Sequence, residues 1–338
     1  MSRRGGWRRR GQKRFRYEDA RGARITDADK LARIEALVIP PAWQDVWISP
    51  NPGAKLQATG VDAAGRRQYL YHPDFRAAQE QAKYDGLVRF GELLPGLRAA
   101  VAGHVRLDPL TADWTLAHAV TLINRSWFRV GSEAYARSAR TYGVSTLRKG
   151  HVEVRGSKLR FTFRAKHRTL VRATLVDPEL AEAIAELIEL PGGSRLFRFE
   201  DETGLRNLTA PLLNDYLAEH LGGGFTAKDF RTWGGSLTAA VALAEHGPPT
   251  SETDATRAIA AAMRRVGAEL GNTPAVARSS YVSPAVLEQF REGRTLDHFR
   301  GRSERKLSAR AAALEPEEES LLSLLRSWRI RRARSGGR

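Results

Sequence analysis

The dominant spacing of apolar residues shifts near residue 72 of this 338-residue chain, and that shift limits the fold more than any other feature. Up to about residue 72, apolar positions alternate in short runs broken by turns, the pattern of strands with one buried face. Beyond it they recur at helical spacing over much longer stretches. A first short helix, Asp27–Leu37, ends at Ile39-Pro40-Pro41. Strands are expected at Asp45–Ile48, Lys55–Thr59 and Arg66–Tyr71, the last after an Asp62-Ala63-Ala64-Gly65 turn. A charged helical stretch, Asp74–Glu92, carries the boundary, so the chain reads as one domain over 1–82 and a second over 83–338. In the second, helices are expected at Leu110–Arg125, Glu179–Leu190 and near 207–221, 227–246 and 253–270. One insertion interrupts them. Alternating runs His151–Val154 and Leu159–Phe163 are joined by Arg155-Gly156-Ser157-Lys158, and Arg168–Leu175 follows the tight turn Ala165-Lys166-His167. The expected class is α+β: a small β-rich N-terminal domain, then a mainly α-helical domain with an inserted three-stranded β-sheet. After about residue 300 a further helix with an acidic patch, Glu315–Glu319, is expected.

Charge narrows the choice of partner. Lysine and arginine number 55 against 38 acids, a net +17, and only nine of the 55 are lysines. Arginine's planar fork matches phosphate oxygens, and neutralising a polyanion releases its counterions, so nucleic acid is the expected partner. The ordinary alternative is GC-rich coding, which raises arginine and alanine together. Residues 1–16 read as a mobile basic arm. The absence of cysteine excludes disulfides, thiolate metal sites and cysteine nucleophiles. No run of eighteen apolar residues is present, and the arginine-rich opening lacks the apolar core of a secretory signal. A soluble cytoplasmic protein with no membrane contact is expected.

The sequence carries no phosphate-binding loop of the nucleotidase type, no HExxH and no calcium loop, and its eight histidines are scattered without ligand spacing. Gly222-Gly223-Gly224 reads as a flexible connection. No metal and no cofactor are therefore expected. What remains is a set of cations and one tyrosine. Arg129 lies just after an apolar helix, in Trp127-Phe128-Arg129-Val130-Gly131. Lys166 sits at the hairpin tip, and Lys228 and Arg231 share Lys228-Asp229-Phe230-Arg231-Thr232-Trp233. Asn272 follows the helix stop at Gly271, and Tyr281 comes nine residues later, in Ser279-Ser280-Tyr281-Val282. Transesterification of a phosphodiester needs these types: a nucleophile, donors for the charge on the phosphoryl oxygens, and an acid for the departing oxygen. Neighbouring cations make a tyrosine a usable nucleophile and a lysine a usable acid. Taken singly, each residue has an ordinary reading: a helix-terminal cation, a solvated turn, a helix ion pair, a cap, a half-buried ring.

Together and in this order, the motifs resemble those of the type IB DNA topoisomerases, closest to the compact poxvirus and bacterial branch, over nearly the whole chain. That resemblance implies a clamp-forming N-terminal domain and a catalytic domain, closing as a monomer on double-stranded DNA in the nucleoid. It implies attack by Tyr281 to give a 3′-phosphotyrosyl link, with Arg129 and Arg231 on the non-bridging oxygens. Lys166 would protonate the 5′-oxygen, and Lys228 would stand near the same phosphate. Asn272 takes a place many relatives give to histidine. An amide carries neither a proton nor a charge, so a smaller electrostatic role is implied there. Tyr69, Tyr71 and Tyr135 fall in regions that contact DNA in relatives, although alternating aromatics on a strand more often fill a core.

Two other functions compete. A site-specific tyrosine recombinase shares the catalytic domain, but its N-terminal region is helical, and it usually shows histidine where Lys228 stands. A basic architectural or RNA-binding protein would use the charge alone and leave the order Arg129, Lys166, Arg231, Tyr281 unexplained.

Overall fold

A computed structural model describes residues 5–11, 14–300 and 313–335, with backbone alone for 77–81, 83 and 335. The chain divides into two compact units, residues 1–83 and 84–338. The architecture is α+β, as the periodicities indicate. Among the described residues, no helix is long and apolar enough to cross a membrane.

The first unit is an antiparallel sheet of five strands in the order β2-β1-β3-β4-β5. Its strands are β1 (Trp7–Arg10), β2 (Arg16–Glu18), β3 (Gln44–Ile48), β4 (Leu56–Val61) and β5 (Arg67–Tyr71). Helix α1 (Ala28–Ala36) starts where the Asp27 side chain accepts the Lys30 N–H, and it buries Ile34 against Trp7, Val46, Ile48 and Ala58. The expectation of a mobile arm over 1–16 fails for much of its length. Trp7 is buried, and the Arg9 guanidinium donates to the carbonyls of Pro40 at 3.1 Å and Trp43 at 2.5 Å. An arginine-rich strand was hidden because its charge masked the one tryptophan that anchors it. Residues 1–4 and 12–13 of that arm lie outside the described residues. On β5, Leu70 turns inward, while Tyr69 and Tyr71 are exposed and stack at 6.2 Å. They are not core.

The second unit takes up most of α2 (Pro73–His104), which runs a dozen residues past its expected end and buries Phe90, Leu94 and Leu97. Its remaining helices are α3 (Ala112–Ser126), α4 (Glu133–Ser138), α5 (Pro178–Glu189), α6 (Ala210–Leu221), α7 (Ala227–His246), α8 (Glu252–Leu270), α9 (Pro274–Ser280), α10 (Pro284–Arg291) and α11 (Pro316–Ser335). The inserted sheet is β6 (Val152–Arg155), β7 (Lys158–Arg164) and β8 (Leu170–Val176), paired in chain order. Register sets Phe161 between Val152 and Ala173, and the alternation of β7 buries Leu159, Phe161 and Phe163 on one face. A small hairpin, β9 (Arg198–Asp201) with β10 (Gly204–Asn207), has no counterpart in the sequence reading. Neither do the short helices α9 and α10. The acidic patch is only partly solvated. Glu318 on α11 is buried, taking both Arg98 Nη atoms at 2.8 Å and the Trp233 indole N–H at 2.9 Å.

Candidate active site

Three segments of the second unit converge on one point: the loop after α3, the first turns of α7, and the connection from α8 to the end of α9. Helix α3 stops at Trp127, which adopts a left-handed conformation (φ 53°) and turns the chain out of the helix. Arg129 follows in a segment held against residues 143–145, whose Val144 and Ser145 N–H groups donate to the carbonyls of Arg129 and Val130 at 2.9 and 2.7 Å. A Cβ on Gly143 would sit 2.3 Å from the Arg129 carbonyl oxygen, so only glycine admits this approach.

Arg231 is placed by the start of α7. Thr226 and Asp229 close a reciprocal capping box, which fixes where the helix begins and so which residues of the first turns face inward. Phe230 and Arg231 are both buried, and Arg231 is only 4% exposed. Its guanidinium donates to the carbonyls of Trp127 at 2.5 Å and Leu270 at 2.8 Å, joining the end of α3 to the end of α8.

Gly271 ends α8 in a left-handed cap, and the Asn272 N–H returns to the Gly267 carbonyl at 2.8 Å. Thr273 then caps α9, whose seven residues carry the chain to Tyr281 at its C-terminus. The nine-residue spacing is therefore one cap, two turns of helix and one cap. The Asn272 Oδ1 accepts from Arg129 Nη2 at 2.6 Å, while its amide nitrogen reaches the Leu270 carbonyl at 3.4 Å. The amide is thus engaged with the neighbouring arginine. The Arg231 guanidinium lies 4.8 Å from the centre of the Tyr281 ring.

Two consecutive glycines in the middle of α7 let this packing happen, and the sequence reading passed over them. A Cβ on Gly234 would lie 2.3 Å from the Trp127 indole, and one on Gly235 would lie 2.7 Å from the Tyr281 carbonyl oxygen. Paired glycines inside a helix cost about 2 kcal/mol against alanine, which is itself a signal of close approach. Ser236 completes the seat: its hydroxyl donates to the Tyr281 carbonyl at 3.3 Å and accepts from the Ser283 N–H at 3.0 Å.

The electrostatics follow from this arrangement. Among the described residues, no carboxylate pairs with Arg129, Arg231 or Lys228; neutral carbonyl and amide oxygens hold both guanidinium groups. Dipoles fix the cations without cancelling their charge. Burial, with Arg129 alongside, brings Arg231 down to about 10. Burial pushes the Tyr281 phenol up, but the charges of Arg231, Arg129 and Lys228 outweigh it and hold the phenol below the ordinary tyrosine value. Such a site favours an anion, and it favours the phenolate.

Arg129, Arg231, Asn272 and Tyr281 thus meet in one cluster, with Lys228 exposed on α7 close enough for its charge to act on the phenol. Lys166 stands apart. It is exposed on the β7–β8 turn, where His167 and Arg168 both take positive φ, and its ammonium makes no hydrogen bond or ion pair among the described residues. Strand β8, which leaves that turn, lines a cavity of about 650 Å³ whose other walls include Arg129 and Arg231. Tyr135 lies on α4, 48% exposed.

Comparison with known proteins gives this geometry a family. Residues 72–298 match the family described as eukaryotic DNA topoisomerase I, catalytic core, and residues 14–62 match the bacterial DNA topoisomerase IB N-terminal domain. DNA topoisomerase 1B of Acanthamoeba polyphaga mimivirus is 31% identical over 83% of this chain and 85% of its own length. DNA topoisomerase 1B of vaccinia virus and DNA topoisomerase I of monkeypox virus are each 21% identical over 72% of this chain and 75% of theirs. The chain belongs to the DNA topoisomerase I family, an isomerase class. Within it, the two matched regions and the viral relatives make it a compact type IB enzyme of the viral and bacterial kind.

Proposed function

We propose that this enzyme relaxes supercoiled double-stranded DNA by cutting and resealing one strand, without ATP or a metal ion. The Tyr281 hydroxyl oxygen attacks the scissile phosphorus and loses its proton to solvent. A 3′-phosphotyrosyl bond forms as the bond to the 5′-oxygen breaks, and Lys166 delivers the proton that makes the 5′-hydroxyl. Religation runs the same steps backwards, the 5′-hydroxyl displacing the phenol. Arg129 and Arg231 hold the non-bridging oxygens, where charge builds in the transition state. Lys228 adds its charge from the edge of the site. Asn272 acts through Arg129, fixing the guanidinium with an acceptor that leaves its charge intact. In this reading residues 83–338 cleave and rejoin, while residues 1–82 clamp the duplex with Tyr69 and Tyr71, and Tyr135 adds a backbone contact. The enzyme works as a monomer on cytoplasmic, nucleoid DNA.

The observation that carries the reading is the meeting of Tyr281 with two arginines whose charges no carboxylate among the described residues neutralises. Incubating the purified chain with supercoiled plasmid in EDTA and without ATP tests it. Relaxed topoisomers are expected, together with a covalent protein–DNA adduct on denaturation. Failure to relax a plasmid lacking any paired recombination sites would remove the proposal.

A further inference from the structure

A second cavity, of about 620 Å³, lies among the helices of the second unit and takes no part in the proposed cleavage. Its size is that of a small-molecule pocket, typically about 300–1,000 Å³. Leu97, Val101, Val120, Leu180, Leu237 and Val241 give it an apolar wall. Six carboxylates line it (Asp177, Glu179, Glu269, Glu315, Glu317 and Glu318) against three arginines, Arg98, Arg125 and Arg265. That is a net negative lining in a chain of net charge +17. Partners sort the groups further. Glu318 is taken by Arg98, Asp177 lies 3.8 Å from Arg125, and Arg265 is engaged by Glu245 outside the cavity. The carboxylates of Glu179, Glu269, Glu315 and Glu317 pair with nothing among the described residues.

Two buried polar side chains point to a ligand independently of the acids. His118, 2% exposed, lines the cavity and donates Nδ1–H to the Trp114 carbonyl at 2.8 Å. That bond fixes the tautomer, so Nε2 is an acceptor, and no described residue donates to it. Burial holds the ring below the ordinary histidine value and keeps it neutral, although Glu179, Glu186 and Asp177 act the other way. Thr238, 8% exposed, also lines the cavity, with a hydroxyl that bonds to no described residue. Buried polar groups are ordinarily satisfied, and here only something inside the cavity completes these two.

We propose that this cavity is a binding site for a small organic ammonium ion with an aliphatic body. The free groups are acceptors and anions, which call for N–H donors carrying positive charge. The apolar wall calls for hydrocarbon. An anionic ligand meets four unpaired carboxylates, and a neutral aliphatic one leaves Nε2 unsatisfied. The chain's overall positive charge repels ammonium ions elsewhere, so saturable binding of one reports on this cavity. Trp127 belongs to the same wall, and its carbonyl holds Arg231, which sets the ligand one residue away from the catalytic cluster.

The probe is n-hexylammonium, titrated by calorimetry into the full DNA-free chain at pH 7, beside hexan-1-ol and hexanoate. Hexylammonium is expected to fill one site per chain about tenfold more tightly than the alcohol, and hexanoate is expected not to bind. The rim double variant Glu269→Gln, Glu317→Gln, on one exposed and one half-buried carboxylate, should weaken hexylammonium about three- to tenfold and leave the alcohol unchanged. Thr238→Val should weaken it about two- to fivefold, and it keeps the buried His118–Trp114 bond that a histidine variant would break. Equal affinity for amine and alcohol, or undiminished amine binding in the rim variant, overturns the proposal.

Discussion

At the residue scale the proposed mechanism gives the phenol and the cations around it separable duties, and single substitutions read them apart. Tyr281→Phe removes only the phenol oxygen, the proposed nucleophile, from a ring seated by Gly235 and Ser236, so the variant should fold and bind DNA normally. Covalent adduct on a nicked suicide substrate should be absent; any adduct would remove Tyr281 from its role. Arg231→Ala deletes a group buried between Trp127 and Leu270 and should slow cleavage by about 10²–10³ or more. Asn272→Ala loosens Arg129 without removing a charge, so single-turnover cleavage should fall by less, about tenfold. The reverse order of the two would show that Asn272 does more than hold its neighbour. Lys166→Ala should cost about 10²–10⁴, and a 5′-bridging phosphorothiolate, whose leaving group needs no proton, should restore most of it. No rescue would end the acid assignment. The order and spacing of these five residues were legible in the sequence. Their contacts were not, because spacing along a chain does not say that a carbonyl at 127 will face a guanidinium at 231.

At the element scale, α7 and α11 decide whether the site is held. Helix α7 accepts the Trp127 indole and the Tyr281 backbone against bare Cα atoms, so Gly234→Ala and Gly235→Ala should each destabilise by about 1–3 kcal/mol through overpacking, more than helix propensity returns. Chemical denaturation measures this. Alanine leaving stability unchanged or raised would mean the contact relaxes freely. Helix α11 docks through Glu318, whose carboxylate takes Arg98, the Trp233 indole and the Glu315 N–H. Burial pushes this carboxyl up, but the Arg98 hydrogen bonds and charge outweigh burial and hold it below the ordinary glutamate value. A depressed carboxylate contributes stability that is present above its unfolded value, near 4.5, and is lost as pH falls through the folded one. The Tm difference between the native chain and Glu318→Gln should therefore be largest near neutrality and shrink below about pH 4.5. A difference that grows in acid would contradict the sign. The elements themselves divide by length. Helices α3, α5, α7 and α8 and the inserted sheet could be read from periodicity. Strand β1, the β9–β10 hairpin, α9 and α10 are too short to show a period, and capping and packing make them.

For the whole molecule, the net charge of +17 predicts binding that is steep in salt. Affinity for a generic duplex, followed by fluorescence anisotropy, should fall by about 10³-fold or more between 50 and 200 mM salt, and equally for the Tyr281→Phe variant. A shallow slope would mean that most of the arginines face away from DNA. That charge, the α+β architecture and the order of the functional residues were set by the sequence alone, since each is a property of composition or of periodicity along one dimension. Four things were decided only by folding. The arginine-rich opening became a strand once Trp7 found a core. Asn272 became an acceptor for Arg129. Glu318 left the solvated patch for a buried ion pair. His118 and Thr238 came to line one cavity, the His118 Nε2 and the Thr238 hydroxyl bonding to no described residue. The reason is common to all four. Burial and hydrogen bonding are relations between residues far apart in the chain, and only the packed structure brings them within a few ångströms of one another.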